Sequence, residues 1–232
     1  MVRLLSTLLI AVALLAPPVI AQELEPADRI VAVVDEDPIF HSDLRRALAF
    51  GFARPGERPG DLRPVLDQLI DERLRAHSID RYGVPPADPA EIDAQLNRIE
   101  AAHGGAAALD AELAKLGSSR EELRRSIDLQ LRILVYIDER LAPRVFVDDG
   151  ELVGYYQQDL TAEMTRQGVT LPPIADVRDD IRSVLRERKL NAEAARWTAE
   201  LRAEARIADL LDRPQGEDRE LPPVVLRLGP KS

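Results

Sequence analysis

Cysteine is absent from this 232-residue chain. That excludes disulfides, thiolate metal sites and cysteine nucleophiles together, and it leaves no thiol to mispair in an oxidising compartment. Histidine occurs only as His41, His77 and His103, in three separate segments. Imidazoles scattered in this way give no convergent acid–base or metal-ligand set, and His77, three residues before Asp80, reads as one half of a helix-surface pair. Aromatic residues are 4% of the chain, so aliphatic helix faces have to build the core. Gly104-Gly105 has no Gly-Lys-Ser/Thr after it and reads as a helix end, not a phosphate cradle. The Gly-x-Ser-x-Gly turn of α/β-hydrolases is missing too. With 41 acidic residues against 31 basic ones and a net charge of −10, the chain lacks the clustered positive charge that phosphate backbones demand, which excludes sequence-independent nucleic-acid binding. No cofactor or metal is expected, and no catalytic residue is assigned.

One long apolar run is present, and it is at the start. Residues 1–21 read as a secretory signal peptide, with Arg3 as the positive end, an apolar stretch over residues 4–15, and cleavage between Ala21 and Gln22. An uncleaved anchor is the alternative, and Pro17-Pro18 with the short apolar core count against it. No later segment approaches the ~18 consecutive apolar residues of a spanning helix, so no stable membrane insertion is expected once the signal is cut. The remaining ~210 residues suit one or two modest domains.

Beyond the signal, residues 30–34 form a short β run, residues 35–37 form a polar turn, and residues 38–40 lead into a helix capped by Ser42 and running to about residue 53. The spacing of Leu62, Leu66, Leu69, Ile70 and Leu74 predicts a second helix over 61–82, ended by Gly83. Asp88-Pro-Ala-Glu91 predicts a third, with Asp88 as cap, Pro89 at the first position and Glu91 closing a capping box. A fourth covers 107–116. Ser119 and Glu122 cap a fifth over 120–141, which carries two apolar faces and is therefore placed at the centre of the bundle. Pro143 ends it, Asp148 or Asp149 caps a sixth, and a last long helix over about 174–203 holds the single tryptophan, Trp197. Short strands are expected at 205–210 and 224–228. The pairs Asp148-Asp149 and Asp179-Asp180 fall near helix starts, where the helix dipole favours them. The alternating charges over 182–189 read as a solvated face.

This order of elements resembles the SurA-type periplasmic chaperones, which belong with the parvulin-associated PrsA and PpiD chaperones. The resemblance rests on the opening hairpin and helix, on Leu66-Asp-Gln-Leu-Ile-Asp-Glu-Arg-Leu74, on Gly83-Val-Pro-Pro-Ala-Asp-Pro-Ala-Glu-Ile92 and on Pro143-Arg-Val-Phe-Val-Asp-Asp-Gly-Glu-Leu-Val-Gly-Tyr-Tyr156. It continues through Val177-Arg-Asp-Asp-Ile-Arg-Ser-Val-Leu185, Trp197 and Leu201-Arg-Ala-Glu-Ala-Arg-Ile207. The implied fold is mainly α: a SurA N-terminal-like helical bundle with a small N-terminal β-hairpin and a long C-terminal helix that packs back on the N-terminal part. The implied organisation is a signal peptide over 1–21, a helical chaperone core over 22–166, a long helix and strand over 167–211 completing the same module, and a polar, proline-rich tail over 212–232. Catalytic relatives carry a parvulin domain between the two halves. Here only residues 157–176 separate Tyr156 from Val177, and no histidine follows His103. Prolyl isomerase activity is therefore not carried over.

The resemblance implies an exported, ATP-independent holding chaperone in the periplasm, whose partners are unfolded or nascent exported polypeptides bound for secretion or the outer membrane. Phe50, Phe52, Tyr155 and Tyr156 are the candidate client-binding residues, each of which could equally be core. The acidic composition implies an acidic rim that favours clients with basic flanks. A structural or adaptor module binding one folded partner is the alternative, and a prolyl isomerase the weaker one.

Overall fold

The computed structural model describes residues 28–213. The signal peptide with its Ala21–Gln22 junction, and the expected strand over 224–228, lie outside the described residues. Strand β1 (Ile30–Val34) pairs antiparallel with β2 (Asp37–Phe40) on one edge. On its other edge it pairs antiparallel with β3 (Ile207–Asp209), giving a sheet ordered β2-β1-β3. Val31, Ala32 and Val34 are fully buried, so the short central strand has aliphatic contacts on both faces. Asp35, in the hairpin turn, takes a left-handed φ of 55°, which a short polar side chain tolerates. It is fixed there by β3's entry: Asp35 N–H donates to Arg206 O at 2.8 Å, and Arg206 N–H donates to Asp35 Oδ1 at 3.0 Å.

Helix α1 (His41–Ala49) starts one residue earlier than expected, because β2 runs into it without a break. The Asp43 carboxylate accepts from Phe40 N–H at 2.8 Å, and Ser42 is not the cap: its N–H and hydroxyl both donate to Asp28. The helix also stops short of residue 53. The N–H groups of Phe52 and Ala53 both turn back to Ala47 O, at 2.8 and 3.0 Å, through Gly51 at φ 74°.

Helix α2 (Arg63–Arg81) buries Val65, Leu66, Ile70, Leu74 and Ile79. Helix α3 (Pro89–Ala102) is capped by Asp88, which accepts from Ala90 N–H at 2.8 Å. Glu91 does not close the box; it is exposed, where water competes for the same bond. Helix α4 (Ala106–Lys115) follows, and α5 (Arg120–Tyr136) opens on the Ser119–Glu122 capping box.

Contacts place α5 between α2 and α3. As an α-helix it ends at Tyr136, and the expected remainder is a π-helical turn (Ile137–Leu141) and a 3₁₀ turn (Ala142–Arg144). Pro143 explains the change, since it has no N–H to give and its ring crowds the carbonyl four residues back. Leu134, expected on an inward face, is 59% exposed, because α3 and α4 cover only the Leu123, Ile127 and Leu131 part of that stripe.

Helix α6 (Asp149–Tyr155), capped by Asp148, passes through a π-helical turn (Tyr156–Leu160) into α7 (Thr161–Gln167). Helix α8 (Ile174–Glu204) has 31 residues, about 46 Å at 1.5 Å per residue. Its first half packs on α6, and its second half returns to α2 and the π-helical turn after α5. Leu201 and Ile207 thereby join the cluster built from β1, β2, α1 and α2. Arg202 anchors this return with ion pairs to Asp71 at 2.5 Å and Asp67 at 3.5 Å.

Magnitudes rank these contacts. Leu66 is fully buried, so Leu66→Ala should cost about 2–5 kcal/mol through lost transfer energy and a cavity. The Arg202 side chain is 34% exposed, so solvent screening limits Arg202→Ala to about 1 kcal/mol. Urea unfolding of both variants should give that order; a larger loss at Arg202 would mean that charge, not aliphatic burial, holds the long helix down.

Candidate functional site

A cleft of about 340 Å³ opens where β2, α1, α2 and α5 meet. Ile39, Ala47, Phe50, Phe52, Leu69, Leu123 and Leu129 supply its apolar surface. Helical spacing explains the convergence. Ala47 and Phe50 lie three residues apart at the end of α1, Leu69 lies a turn before Arg73 on α2, and Leu123, Ser126 and Leu129 recur at three-residue intervals on α5. Phe50 is itself buried, with its ring 5.6 Å from that of His103. Phe52 is half-buried and touches both the hairpin cluster and the α3–α4–α5 cluster.

Charged side chains surround the apolar part: Asp43, Arg46, Glu72, Arg73, Glu122 and Arg125. The three acids are already engaged. Asp43 pairs with Arg46. Glu122 accepts from the Ser118 hydroxyl at 2.9 Å and from Ser119 N–H at 3.0 Å, and these bonds, the hydroxyl first, hold its pKa below the ordinary carboxylate value. Glu72 accepts from the Gln130 amide, but burial dominates and pushes its pKa up. Of the arginines, Arg125 reaches only the exposed Glu121, at 3.6 Å, and Arg73 has no carboxylate within ion-pair distance among the described residues. The rim therefore carries three acids and three arginines, and is mixed in sign. This corrects the acidic rim expected from composition: net charge averages over the whole surface, whereas the rim is set by which acids find local partners.

A second groove, of about 520 Å³, lies at the far end of α2. It is floored by Tyr82, Tyr136 and Trp197, whose rings follow one another at 5.4 and 4.6 Å. Its walls are mostly charged, with Arg144 and Arg196 both reaching Glu193. Burial, and then the neighbouring Tyr82, raise the Tyr136 pKa. No nucleophile–base pair is present in either groove.

Sequence comparison bears on this arrangement. A chaperone SurA from Saccharophagus degradans is 32% identical over 141 residues, covering 56% of this chain and 32% of that protein. The SurA of Pseudomonas putida is 28% identical over 195 residues, covering 77% of this chain and 45% of its own. Over these stretches the chain is similar in sequence to SurA chaperones. It spans a third to just under half of the length of these curated relatives. No family model matches it. A solved SurA-like chaperone from Campylobacter jejuni superposes with a TM-score of 0.48 at 14% identity, covering 78% of this chain and 98% of that one.

The fold separates the four residues singled out from sequence. Phe50 and Phe52 line the α1–α2–α5 cleft. Tyr155 and Tyr156 lie on the α6 arm and serve its attachment to α8: Arg188 lies 4.9 Å above the Tyr155 ring, and the Tyr156 hydroxyl donates to Pro172 O at 2.7 Å. Residues 156–173 there form the π-helical turn, α7 and a loop. His77 also has other partners than expected. Its Nε2 is 2.5 Å from Asp37 and its Nδ1 3.7 Å from Asp35, both in the hairpin, while Asp80 pairs with Arg132. Long-range pairing of the hairpin with α2 overrides the local i, i+3 geometry. His103 joins α3 to α1, with Nδ1 2.8 Å from Ile99 O and Nε2 3.1 Å from Ala49 O. Asp179-Asp180 sits inside α8, beyond its first turn, and Asp179 pairs with Arg182. No cluster of three metal-ligating side chains occurs among the described residues, and none of their helices is long and apolar enough to cross a membrane.

Sequence reasoning passed over Glu72, Gln130, Arg73 and Leu129. The available signal for Glu72 was its place three residues after Leu69, on the same face of α2. Glu72 gives a signed pH prediction. A carboxylate whose folded pKa is raised binds protons more tightly in the native state, so it costs stability as pH rises from its unfolded pKa through its folded one. Glu72→Gln, which keeps an acceptor for Gln130, should therefore stabilise the protein at neutral pH, and the gain should vanish as pH falls to the ordinary carboxylate range. Paired urea titrations across that window check this; a gain that grows on acidification would contradict it.

Proposed function

We propose that this SurA relative is an exported, ATP-independent holding chaperone that keeps unfolded secreted or outer-membrane proteins from aggregating in the periplasm. The observation that carries the reading is the α1–α2–α5 cleft, an apolar surface inside a charged rim with no reactive constellation beside it. Such a surface works by differential binding. An unfolded segment offers apolar side chains that the cleft removes from water, at roughly 25 cal/mol per Å². Once the client folds, those side chains are buried and the affinity disappears without any energy source. A cleft of about 340 Å³ takes a few side chains of an extended segment and cannot enclose a folded domain. Phe52, Leu69 and Leu129 are the client contacts in this reading, with the buried Phe50 backing them from the core and Arg73 and Arg125 favouring acidic residues that flank an apolar stretch.

Several SurA chaperones sharing 27–32% identity with this chain support the chaperone class. The non-catalytic assignment rests on the absence of a parvulin-like histidine segment after His103. An adaptor would instead retain one folded protein at fixed stoichiometry, and an isomerase would turn over proline peptides above background.

The mature chain should suppress aggregation of an unfolded outer-membrane barrel at a few-fold molar excess. Losing one apolar contact of leucine size is worth about 1.5–3 kcal/mol, so Leu129→Glu should weaken client binding about tenfold or more. Val184→Glu, on an exposed part of α8, should leave it unchanged. Light scattering and client affinity, with circular dichroism as the folding control, decide the matter. Full activity of folded Leu129→Glu would remove the cleft from the account.

A further inference from the structure

The cleft has a second candidate occupant in the chain itself. Immediately after the last described residue, Arg213, the sequence reads Pro-Gln-Gly-Glu217-Asp218-Arg-Glu220-Leu221-Pro-Pro-Val-Val-Leu226. Three acids precede an aliphatic run that has no aromatic residue and carries two adjacent prolines. This is the chemistry the cleft is built to accept: apolar side chains on its floor and carboxylates against Arg73 and Arg125. Of the acids beside them, Asp43 is neutralised by Arg46, while Glu72 and Glu122 are held in place by hydrogen bonds from Gln130, Ser118 and Ser119.

We propose that residues 221–226 dock in the α1–α2–α5 cleft of their own chain, with Glu217, Asp218 and Glu220 facing Arg73 and Arg125, so that the tail competes with clients. The proposal rests on the reading of this cleft as the client site. Reach permits it. Arg63, at the start of α2, holds Asp209 and Asp212, which fixes the point from which the tail departs. Leu69 and Arg73 lie six and ten residues further along that helix, about 9–15 Å at 1.5 Å per residue. The seven residues 214–220 span up to ~23 Å when extended, so Leu221 arrives at the cleft with slack to spare. Adjacent prolines lower the entropy lost on docking an extended segment. Tethering also raises the local concentration of the segment to about the millimolar range, so weak intrinsic affinity is enough to occupy the site. Clients must then outcompete the tail, and short or weakly apolar segments are rejected.

The absence of native cysteine makes the test clean. A nitroxide on Gly229→Cys in the full mature chain, without any client, should broaden the methyl resonances of Leu69, Leu123 and Leu129 and spare those of Leu152 and Ile181 on the α6–α8 arm. A triple substitution, Val224→Ser, Val225→Ser and Leu226→Ser, should abolish the broadening and raise client affinity at least ~3-fold through loss of the intramolecular competitor. The proposal is overturned by absent broadening, by broadening centred on Tyr82 and Trp197, or by broadening that appears only between labelled and unlabelled copies. Unchanged client affinity in the triple variant overturns the competition. Because the spin-label arm contains no client, it stands or falls separately from the holding function: lost aggregation suppression with intact broadening would sink that function alone.

Discussion

Strand β1 bears the constraint on which the rest of the molecule depends. It is five residues long, its Val31, Ala32 and Val34 are fully buried, and it is paired on both edges by segments from opposite ends of the described chain. A two-stranded hairpin is marginal in water, and a third strand with an apolar face changes that. Here the third strand arrives only some 170 residues later, at β3, after all the helices. Closing the sheet therefore requires α8 to come back across α2, which brings Trp197 onto Tyr136 and Leu201 into the hairpin cluster. The helices are thus tied at both ends to one small sheet.

The cleft follows from that closure. Because β2 runs directly into α1, the position of the hairpin sets the position of Ala47 and Phe50. Helix α2 is held from the other side by α8 through Asp71, Asp67 and Arg202. Helix α5 then packs between α2 and α3, and the space left at its junction with α1 and α2 is the apolar cleft. Although the chain is acidic, the rim at this point is mixed in sign: Asp43 is paired with Arg46, Arg125 reaches Glu121, and Arg73 has no carboxylate within ion-pair distance among the described residues. A surface of that kind suits segments of varied sequence, since the apolar contacts are non-directional and the guanidinium groups sit at the edge.

Much of this was legible in the sequence where the signal is local or periodic. The apolar run of residues 30–34, the Ser119–Glu122 box and the long apolar spacing of α2 each reflect short-range physics, and each element formed as read. The pairing of the opening strand with the segment after Trp197 came from resemblance instead, because nothing in either segment's pattern specifies its partner. Errors cluster where long-range contacts outbid local ones: Ser42 bonds Asp28 instead of capping, and His77 turns to the hairpin carboxylates; the loosened end of α5 is instead a local effect of Pro143. For the site, aromatic content pointed to four residues of which the structure puts two, Phe50 and Phe52, in the cleft. Leu129, Glu72 and Arg73 were invisible because membership of a cleft is a property of how three helices cross, and no single helix carries that information.

Amide hydrogen exchange on the two backbone bonds that seal the sheet tests this account most directly. Asp35 N–H donates to Arg206 O, and Leu210 N–H donates to Val31 O at 2.9 Å. If closure of the two chain ends sets the whole scaffold, both amides should exchange only through global unfolding, with the same opening free energy as the amide of Leu66 in the core of α2. Exchange of Asp35 and Leu210 at rates typical of a frayed end, while Leu66 stays protected, would show that the helices and their cleft stand without the sheet and would contradict the account.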